Sequence, residues 1–424
     1  MYVLIRSRLI KGSLHNVVPN EKNSRLGTYV STTTAGETVR AFVPPPLPPE
    51  LPVDLTGLYQ HLDRANQALG RLDGLTTLLP DTQLFLYLYV RKEALLSSQI
   101  EGTKSSFSDL LLFENEAVPG VPIDDVEEVS SYVAAMQHGL RRIKGGFPLS
   151  LRLIREIHGI LLRGGRGANK TPGEFRRSQN WIGGSRPGNA AFVPPPPERM
   201  MECLDRFEHF LHDEEHKLPV LVEAGLIHVQ FETIHPFLDG NSRLGRLLIT
   251  LLLCARGTLR EPLLYLSLYF KAHRQRYYDL LQRVRTEGVW EEWLGFFLEG
   301  TETTARQAAS AAVQILHLFE ADRKKIQSLG RKAASALLVH GYMQAHPLIK
   351  IGPTAKSLEL SVPTITGVLE SLAKLKIAKE VTGKRRDRLF AYPRYLHILS
   401  EGTEPLAGSN PRTNPSAKIS RHED

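Results

Sequence analysis

Apolar residues along most of this chain recur at steps of three and four, the period of an amphipathic helix. Leu58, Leu62, Ala65, Leu69 and Leu72 fall on one face in this way. The same spacing predicts helices over 84–97, 105–113, 126–143, 149–162, 200–212, 219–233, 243–256, 267–285 and 289–329. The 243–256 segment is apolar nearly all round, which places it at the centre of a bundle. Two stretches break the rhythm. Tyr29-Val30 and Val39 to Val43 suit a short N-terminal hairpin, and Pro44-Pro45-Pro46-Leu47-Pro48-Pro49 reads as an extended connector. Residues 169–197 hold four glycines and six prolines around Trp181-Ile182 and Phe192-Val193, which predicts a β-hairpin or extended flap.

After Leu329 the texture changes. Helices are expected over 333–343, 354–360 and 363–375, the last capped by Ser361. Two strand-like runs over 378–392 then flank Thr382-Gly383-Lys384-Arg385-Arg386. Three helices and a basic hairpin are the layout of a winged helix. Residues 331–395 carry twelve Lys and Arg against four acids, equal to the whole formal excess of +8. That basicity calls for an acidic partner. Thr364, Thr366, Lys374 and Lys376 lie on or near the third helix, and Lys384, Arg385, Arg386 and Arg388 crowd the hairpin. Such a wing suits DNA phosphates, but few side chains here can read bases. DNA binding and protein docking, a homodimer included, therefore both stay open. Beyond 401, Pro, Ser, Asn and charges predict a disordered tail.

With 424 residues the chain is expected to form two or three domains. No apolar run is long enough to cross a bilayer, and residues 1–10 lack the apolar core of a secretory signal. Cys203 and Cys254 are the only cysteines, too few for a disulfide framework or a cysteine zinc site. A soluble cytoplasmic protein with no membrane partner is the expectation.

The chemistry concentrates in His235-Pro236-Phe237-Leu238-Asp239-Gly240-Asn241-Ser242-Arg243-Leu244-Gly245-Arg246. Small turn residues feeding a helix leave unpaired N–H groups at its positive end, which suits a phosphate. Arg243 and Arg246 share a helix face and can grip one polyphosphate. Asp239 can hold the accompanying Mg²⁺, and His235, with a pKa expected near neutrality, can take a proton. His228, on an apolar face, reads as a packing residue.

This stretch resembles the core motif of the Fic family, HPFx[D/E]GNGRxxR. Ser97-Ser98-Gln99-Ile100-Glu101-Gly102 matches the family's inhibitory pattern, [S/T]xxxE[G/N]. Thr171-Pro172-Gly173-Glu174-Phe175-Arg176 and Phe192-Val193-Pro194-Pro195-Pro196 match the segments around its flap, all in the family's order. The resemblance implies a mainly α fold: a Fic-type helical bundle with a short β-hairpin flap, here followed by the winged helix. It implies a protein adenylyltransferase that moves AMP from ATP to a Tyr, Thr or Ser hydroxyl of a protein docked on the flap. His235 would be catalytic, and Asp239 would hold Mg²⁺. Gly240, Asn241, Ser242, Arg243, Leu244, Gly245, Arg246 and Tyr278 would surround the nucleotide. Glu101 and Ser97 would restrain Arg246, with Glu101 also able to support removal of AMP.

One departure stands out: Ser242 replaces the family's usual glycine. A negative φ there would leave the anion site intact, whereas a positive φ would cost on the order of 1 kcal/mol. The competing reading, a nucleotide-sensing DNA-binding regulator with an inactive or redirected core, rests on that serine. The expected division is an arm and connector over 1–50, a helical region carrying the inhibitory helix over 51–125 and a catalytic core over 126–300. A connecting helix over 301–330, the winged helix over 331–395 and a disordered tail over 396–424 complete it.

Overall fold

The computed structural model describes residues 25–75, 82–114, 121–213, 215, 217–383 and 388–405. It opens with the expected hairpin, β1 (Thr28–Thr34) and β2 (Glu37–Val43), paired antiparallel from Thr28↔Val43 to Thr34↔Glu37. Ala35 and Gly36 both take positive φ, the two-residue turn that matches strand twist.

Among the described residues eleven α-helices follow: α1 (Tyr59–Leu75), α2 (Thr82–Ile100), α3 (Phe107–Glu114), α4 (Ile123–Lys144), α5 (Leu151–Leu161), α6 (Pro197–His212), α7 (Val220–Ile234), α8 (Asn241–Ala255), α9 (Ser267–Ala272), α10 (Arg274–Glu287) and α11 (Trp290–Gln327). The centre is α7 against α8. Every residue from Leu221 to Ile234 is buried, and α8 buries Leu244, Leu247, Leu248, Ile249, Leu251, Leu252 and Leu253. Around this pair lie α2, α4, α5 and α11. Charge supports the elements locally: α4 has Asp124 and Asp125 in its first turn and Arg141, Arg142 and Lys144 in its last, matching the helix dipole.

The C-terminal unit comprises α12 (Ala333–Ala345), β3 (Leu348–Lys350), α13 (Ile351–Ser357), α14 (Val362–Lys374), β4 (Lys379–Glu380), β5 (Leu389–Ala391) and α15 (Pro393–Ser400). Its strands pair antiparallel in the order β3-β5-β4. Ser361 caps α14 as expected, its Oγ accepting from Thr364 N. The unit is tied to α11 through Asp322, fully buried, which accepts from Tyr392 Oη at 2.8 Å and Lys325 Nζ at 2.6 Å.

Several sequence expectations change. The helix expected over 267–285 breaks at His273, whose φ and ψ of −113° and 37° are not helical. The 38-residue α11 crosses the division expected at 300, so core and connecting helix are one element. Strand β3 was not anticipated. Part of the expected tail is structured: α15 buries Tyr395 and Leu399, and the segment after it is strapped to α2. Gln99 Nε2 donates to Thr403 O at 2.8 Å, and Lys271 Nζ donates to Gly402 O at 3.1 Å and to Glu404 O. Lys384, Arg385 and Arg386 of the basic hairpin, and the tail beyond 405, lie outside the described residues. Among the described residues no helix is long and apolar enough to cross a membrane.

Candidate active site

The turn joining α7 to α8 is held by buried side chains on every side. His235 ends α7 in the left-handed conformation, φ 50° and ψ 59°, and Pro236 cannot continue the helix. Arg176, 2% exposed, holds that conformation: its Nε donates to His235 O at 3.0 Å and its backbone N to Pro236 O at 2.9 Å. Asn241 closes the turn, accepting from Phe237 N at 2.9 Å and donating to Phe237 O at 2.8 Å. Its side chain is thereby committed to the loop. His158 Nδ1 accepts from Gly173 N at 2.8 Å, which leaves its Nε2–H to donate to Asp239 O at 3.0 Å. The same ring stacks on Phe237 at 3.7 Å. Gly240 has φ +78°, and a Cβ there would lie 3.1 Å from Leu162 Cδ2, so glycine is required.

The first turn of α8 then presents its free N–H groups. Ser242 lies within the helix and takes no positive φ, so the serine carries no left-handed penalty. Its Oγ donates to Glu232 Oε2 at 3.1 Å. Leu244 is fully buried in the core, and Gly245 is where α8 meets α7: a Cβ there would lie 2.9 Å from Glu232 Oε1.

Both arginines of the motif are 1% exposed and both face acids from the N-terminal helices. Arg246 Nε donates to Ser97 Oγ, and Nη2 to Ser97 O and Glu101 Oε1, all at 2.9 Å. Glu101 can stand here because α2 ends at Ile100 and Gly102 turns the chain with φ +99°. Burial pushes the Glu101 carboxyl up, but Arg246 first, then Arg166 and Arg243, bring it below the usual range. Arg243 lies between Glu128 Oε1 at 3.2 Å and Asp239 Oδ1 at 3.6 Å. Tyr278 faces the Glu101–Arg246 pair: burial first, then Glu101, raise its hydroxyl, and Arg274 lies over its ring at 5.0 Å.

His235 is half-buried. Burial, then the guanidiniums of Arg176 and Arg285, pull its pKa to about 3 rather than near neutrality. The ring is therefore neutral, able to accept a proton at any physiological pH, but a weaker base than a solvated imidazole. Glu232 behaves oppositely, burial pushing it up to about 7. His228 is a packing residue: fully buried, its Nε2 2.8 Å from Tyr277 Oη and its ring stacked near Trp293.

Asp239 keeps about a third of its side chain exposed, and its Oδ1 accepts from Gly240 N at 2.6 Å. Among the described residues no group of three or more His, Cys, Asp or Glu gathers as a metal cage. A magnesium carried on a polyphosphate needs only one or two protein carboxylates, and Asp239 meets that requirement.

The flap is a single bridge rather than a strand pair. Ile182 N donates to Phe192 O at 2.8 Å, and Phe192 N returns to Ile182 O at 3.1 Å. Gly183 and Gly184, at φ +69° and +73°, bend the chain and end the pairing. On the far side Phe42 N of β2 donates to Val193 O at 2.9 Å, and Glu37 accepts from Arg186 Nη1 at 2.7 Å and Gly188 N at 3.0 Å. The N-terminal hairpin thus flanks one side of the flap. The sequence reading assigned no role to His158, Arg176, Arg285, Glu128 or Arg166. Arg176 stood in a quoted motif; the others stand at helical or glycine-rich positions with no local signature.

A left-handed histidine, a glycine turn and a buried helix start bearing two acid-paired arginines define the class: a helical protein with two buried arginines in the first turns of one helix. Residues 59–141 match the Fic/DOC family N-terminal domain and residues 148–253 match the Fic/DOC family. The protein adenylyltransferase Fic of Culex quinquefasciatus is 31% identical over 264 residues, 61% of this chain and 49% of the relative. That of Aedes aegypti is 31% identical over 265 residues, with the same coverage. The chain spans about half the length of the curated relatives it matches. A crystal structure of a Fic family protein from Desulfovibrio desulfuricans G20 superposes with a TM-score of 0.51 at 18% identity, covering 78% of this chain and 95% of that one. Over residues 59–141 and 148–253 the chain is thus similar, domain by domain, to the Fic/DOC family.

Proposed function

We propose that this protein is an adenylyltransferase that moves AMP from ATP to a Tyr, Thr or Ser hydroxyl of a protein, and that Glu101 restrains it. The observation that carries the reading is the α7–α8 turn, where His235, Asp239, Gly240, Arg243 and Arg246 surround one helix N-terminus. The acceptor oxygen attacks the α-phosphorus of ATP, its proton goes to neutral His235, and the α–β phosphoanhydride bond breaks. Pyrophosphate leaves with the electron pair, its charge met by Arg243, Arg246 and the helix start. Mg²⁺, held by Asp239, would neutralise phosphate charge when bound. Glu101 occupies Arg246, so an ATP γ-phosphate must displace it to bind productively. In the reverse sense, the same carboxylate can position water to remove AMP.

The acceptor would dock as an added strand along 180–184, since β2 takes the other side of the flap. The C-terminal unit reads as a winged helix. Exposed Arg331, Lys332, Lys356, Lys374, Lys376 and Lys379 suit an acidic partner, DNA phosphates first. Both threonine hydroxyls on α14 are spent locally, Thr364 with Ser361 Oγ at 2.8 Å and Thr366 on Val362 O at 2.9 Å, which argues against base reading. The regulator reading drew on Ser242; with that residue helical, its motive lapses.

The test is covalent labelling with α-labelled ATP and Mg²⁺ in wild type, Glu101→Gly and Glu101→Gly/His235→Ala. Label in the single variant alone is the expected result. No label in any form would overturn the transferase and return the regulator, or a different nucleotide, to the front.

A further inference from the structure

Glu128 is 2% exposed, inside α4, and its two oxygens face two different guanidiniums. Oε1 lies 3.2 Å from Arg243 Nη1 and Oε2 3.6 Å from Arg166 Nε. Arg166 reaches this place because of the glycines beside it. Gly165 has φ +71°, and a Cβ there would lie 2.7 Å from Asp124 O at the start of α4. Gly167 has φ +91°, and its Cβ would lie 2.9 Å from Asp239 Oδ2. The loop therefore passes between α4 and the motif turn at a distance only glycine permits, and the arginine between the two glycines is carried to the rim of the phosphate site. There Arg166 Nη1 also donates to Glu101 O at 3.2 Å, while 43% of its side chain stays exposed.

The guanidiniums around this acid are ion-paired, yet not all of their N–H groups are spent on hydrogen bonds. Arg243 Nη1 and Nη2 and Arg246 Nη1 are buried and complete no hydrogen bond. Glu101 can leave, since it hangs from a helix end beside a glycine. Glu128 cannot, because it is fixed within a helix. A permanent carboxylate between two guanidiniums is costly to bury and competes with phosphate, unless its effect is to hold both cations in place. We propose that Glu128 is a positioning residue that fixes Arg243 and recruits Arg166 as a third cation for the polyphosphate of the bound nucleotide. This rests on the reading of the site as an ATP site.

The test is calorimetric titration of the full chain, in the Glu101→Gly background with Mg²⁺, by ATP and separately by AMP. Arg166→Ala is expected to weaken ATP binding about tenfold and AMP binding less than twofold, because AMP lacks the outer phosphates. Glu128→Gln should weaken ATP at least as much, and adding Arg166→Ala to it should cost under a further twofold, the signature of residues acting as one unit. Multiplicative losses, tighter ATP binding by Glu128→Gln, or equal losses for ATP and AMP would each overturn the proposal. Arg166→Ala, on a surface loop, reads the third-cation claim even if Glu128→Gln fails to fold; unchanged ATP affinity would overturn it. No ATP binding by the Glu101→Gly protein itself would remove the underlying reading, and this inference with it.

Discussion

The turn that opens α8 collects arginines and the C-terminal unit collects both arginine and lysine, and they treat the charge in opposite ways. Arg243 and Arg246 are 1% exposed and paired with Asp239, Glu128 and Glu101. Lys356, Lys374, Lys376 and Lys379 stand in solvent. A buried guanidinium is costly to leave unpaired, so on the proposed function a phosphate would have to displace the acid facing it. An exposed cation exchanges its counterions freely and binds whatever anion approaches. On the proposed function, the first arrangement would act as a switch that salt hardly touches, and the second as a surface whose binding salt weakens.

The largest effect should come from the α7–α8 turn. In the Glu101→Gly background, His235→Ala should lower covalent labelling about 10²- to 10⁴-fold, the usual range for a lost general base. Because burial keeps His235 neutral, wild-type-like pH dependence should show no acid limb near pH 6.5, and a rate that halves there would contradict the shift to about 3. Glu101→Gly should itself raise labelling by tens of fold and lower stability by roughly 1–3 kcal/mol. Arg246 would keep its bonds to Ser97 but lose its only bonded carboxylate among the described residues. That rise should persist between 50 and 300 mM salt. Binding of duplex DNA to the C-terminal unit should instead weaken at least about tenfold over the same range. A salt-insensitive mobility shift would argue for a protein partner, for which exposed Leu338, Val362 and Val381 offer apolar contact.

Much of this contrast was legible in the residues, because periodicity and motif are local. The α7–α8 turn, the cap at Ser361 and the N-terminal hairpin each announce themselves within a few positions. What stayed hidden was assembled across the chain. Arg176 reaches His235 over 59 positions, and Arg166 depends on two glycines whose neighbours, Asp124 and Asp239, are distant in sequence. Strand β3 is three residues long and owes its existence to β5. The flap stops at one antiparallel bridge because Gly183 and Gly184 turn it there.

The two regions also touch. Residues 402–404 lie across the end of α2, with Thr403 2% exposed and bonded to Gln99, two positions before Glu101. Ending the chain after Ser400 should loosen the end of α2 that leads into Glu101 and raise wild-type labelling a few-fold, while leaving the Glu101→Gly protein unchanged. An equal rise in both would mean that the strap acts on something other than Glu101.

The smallest effect separates two acids on one stretch of chain. Glu93 and Glu101 lie two helical turns apart, yet burial pushes Glu93 up to about 7 while Arg246 brings Glu101 below its usual range. Glu93 is 3% exposed and accepts from Ser267 N at 3.1 Å and Ser267 Oγ at 2.5 Å, and among the described residues no guanidinium is bonded to it. Between its unfolded value near 4.5 and about 7, the folded state holds the proton that the unfolded state has released. The neutral acid's contribution to stability is therefore complete below about pH 4.5 and is lost as pH rises through 7. Glu93→Gln stays neutral at every pH. The stability of wild type relative to this variant should fall by on the order of 1–3 kcal/mol from pH 4.5 to 7.5, read by chemical denaturation. His158 and His228, which burial shifts the other way, are present in both proteins and cancel in the difference. A pH-independent difference would mean that Glu93 is already ionised at low pH, and that a buried carboxylate here needs no arginine to carry its charge.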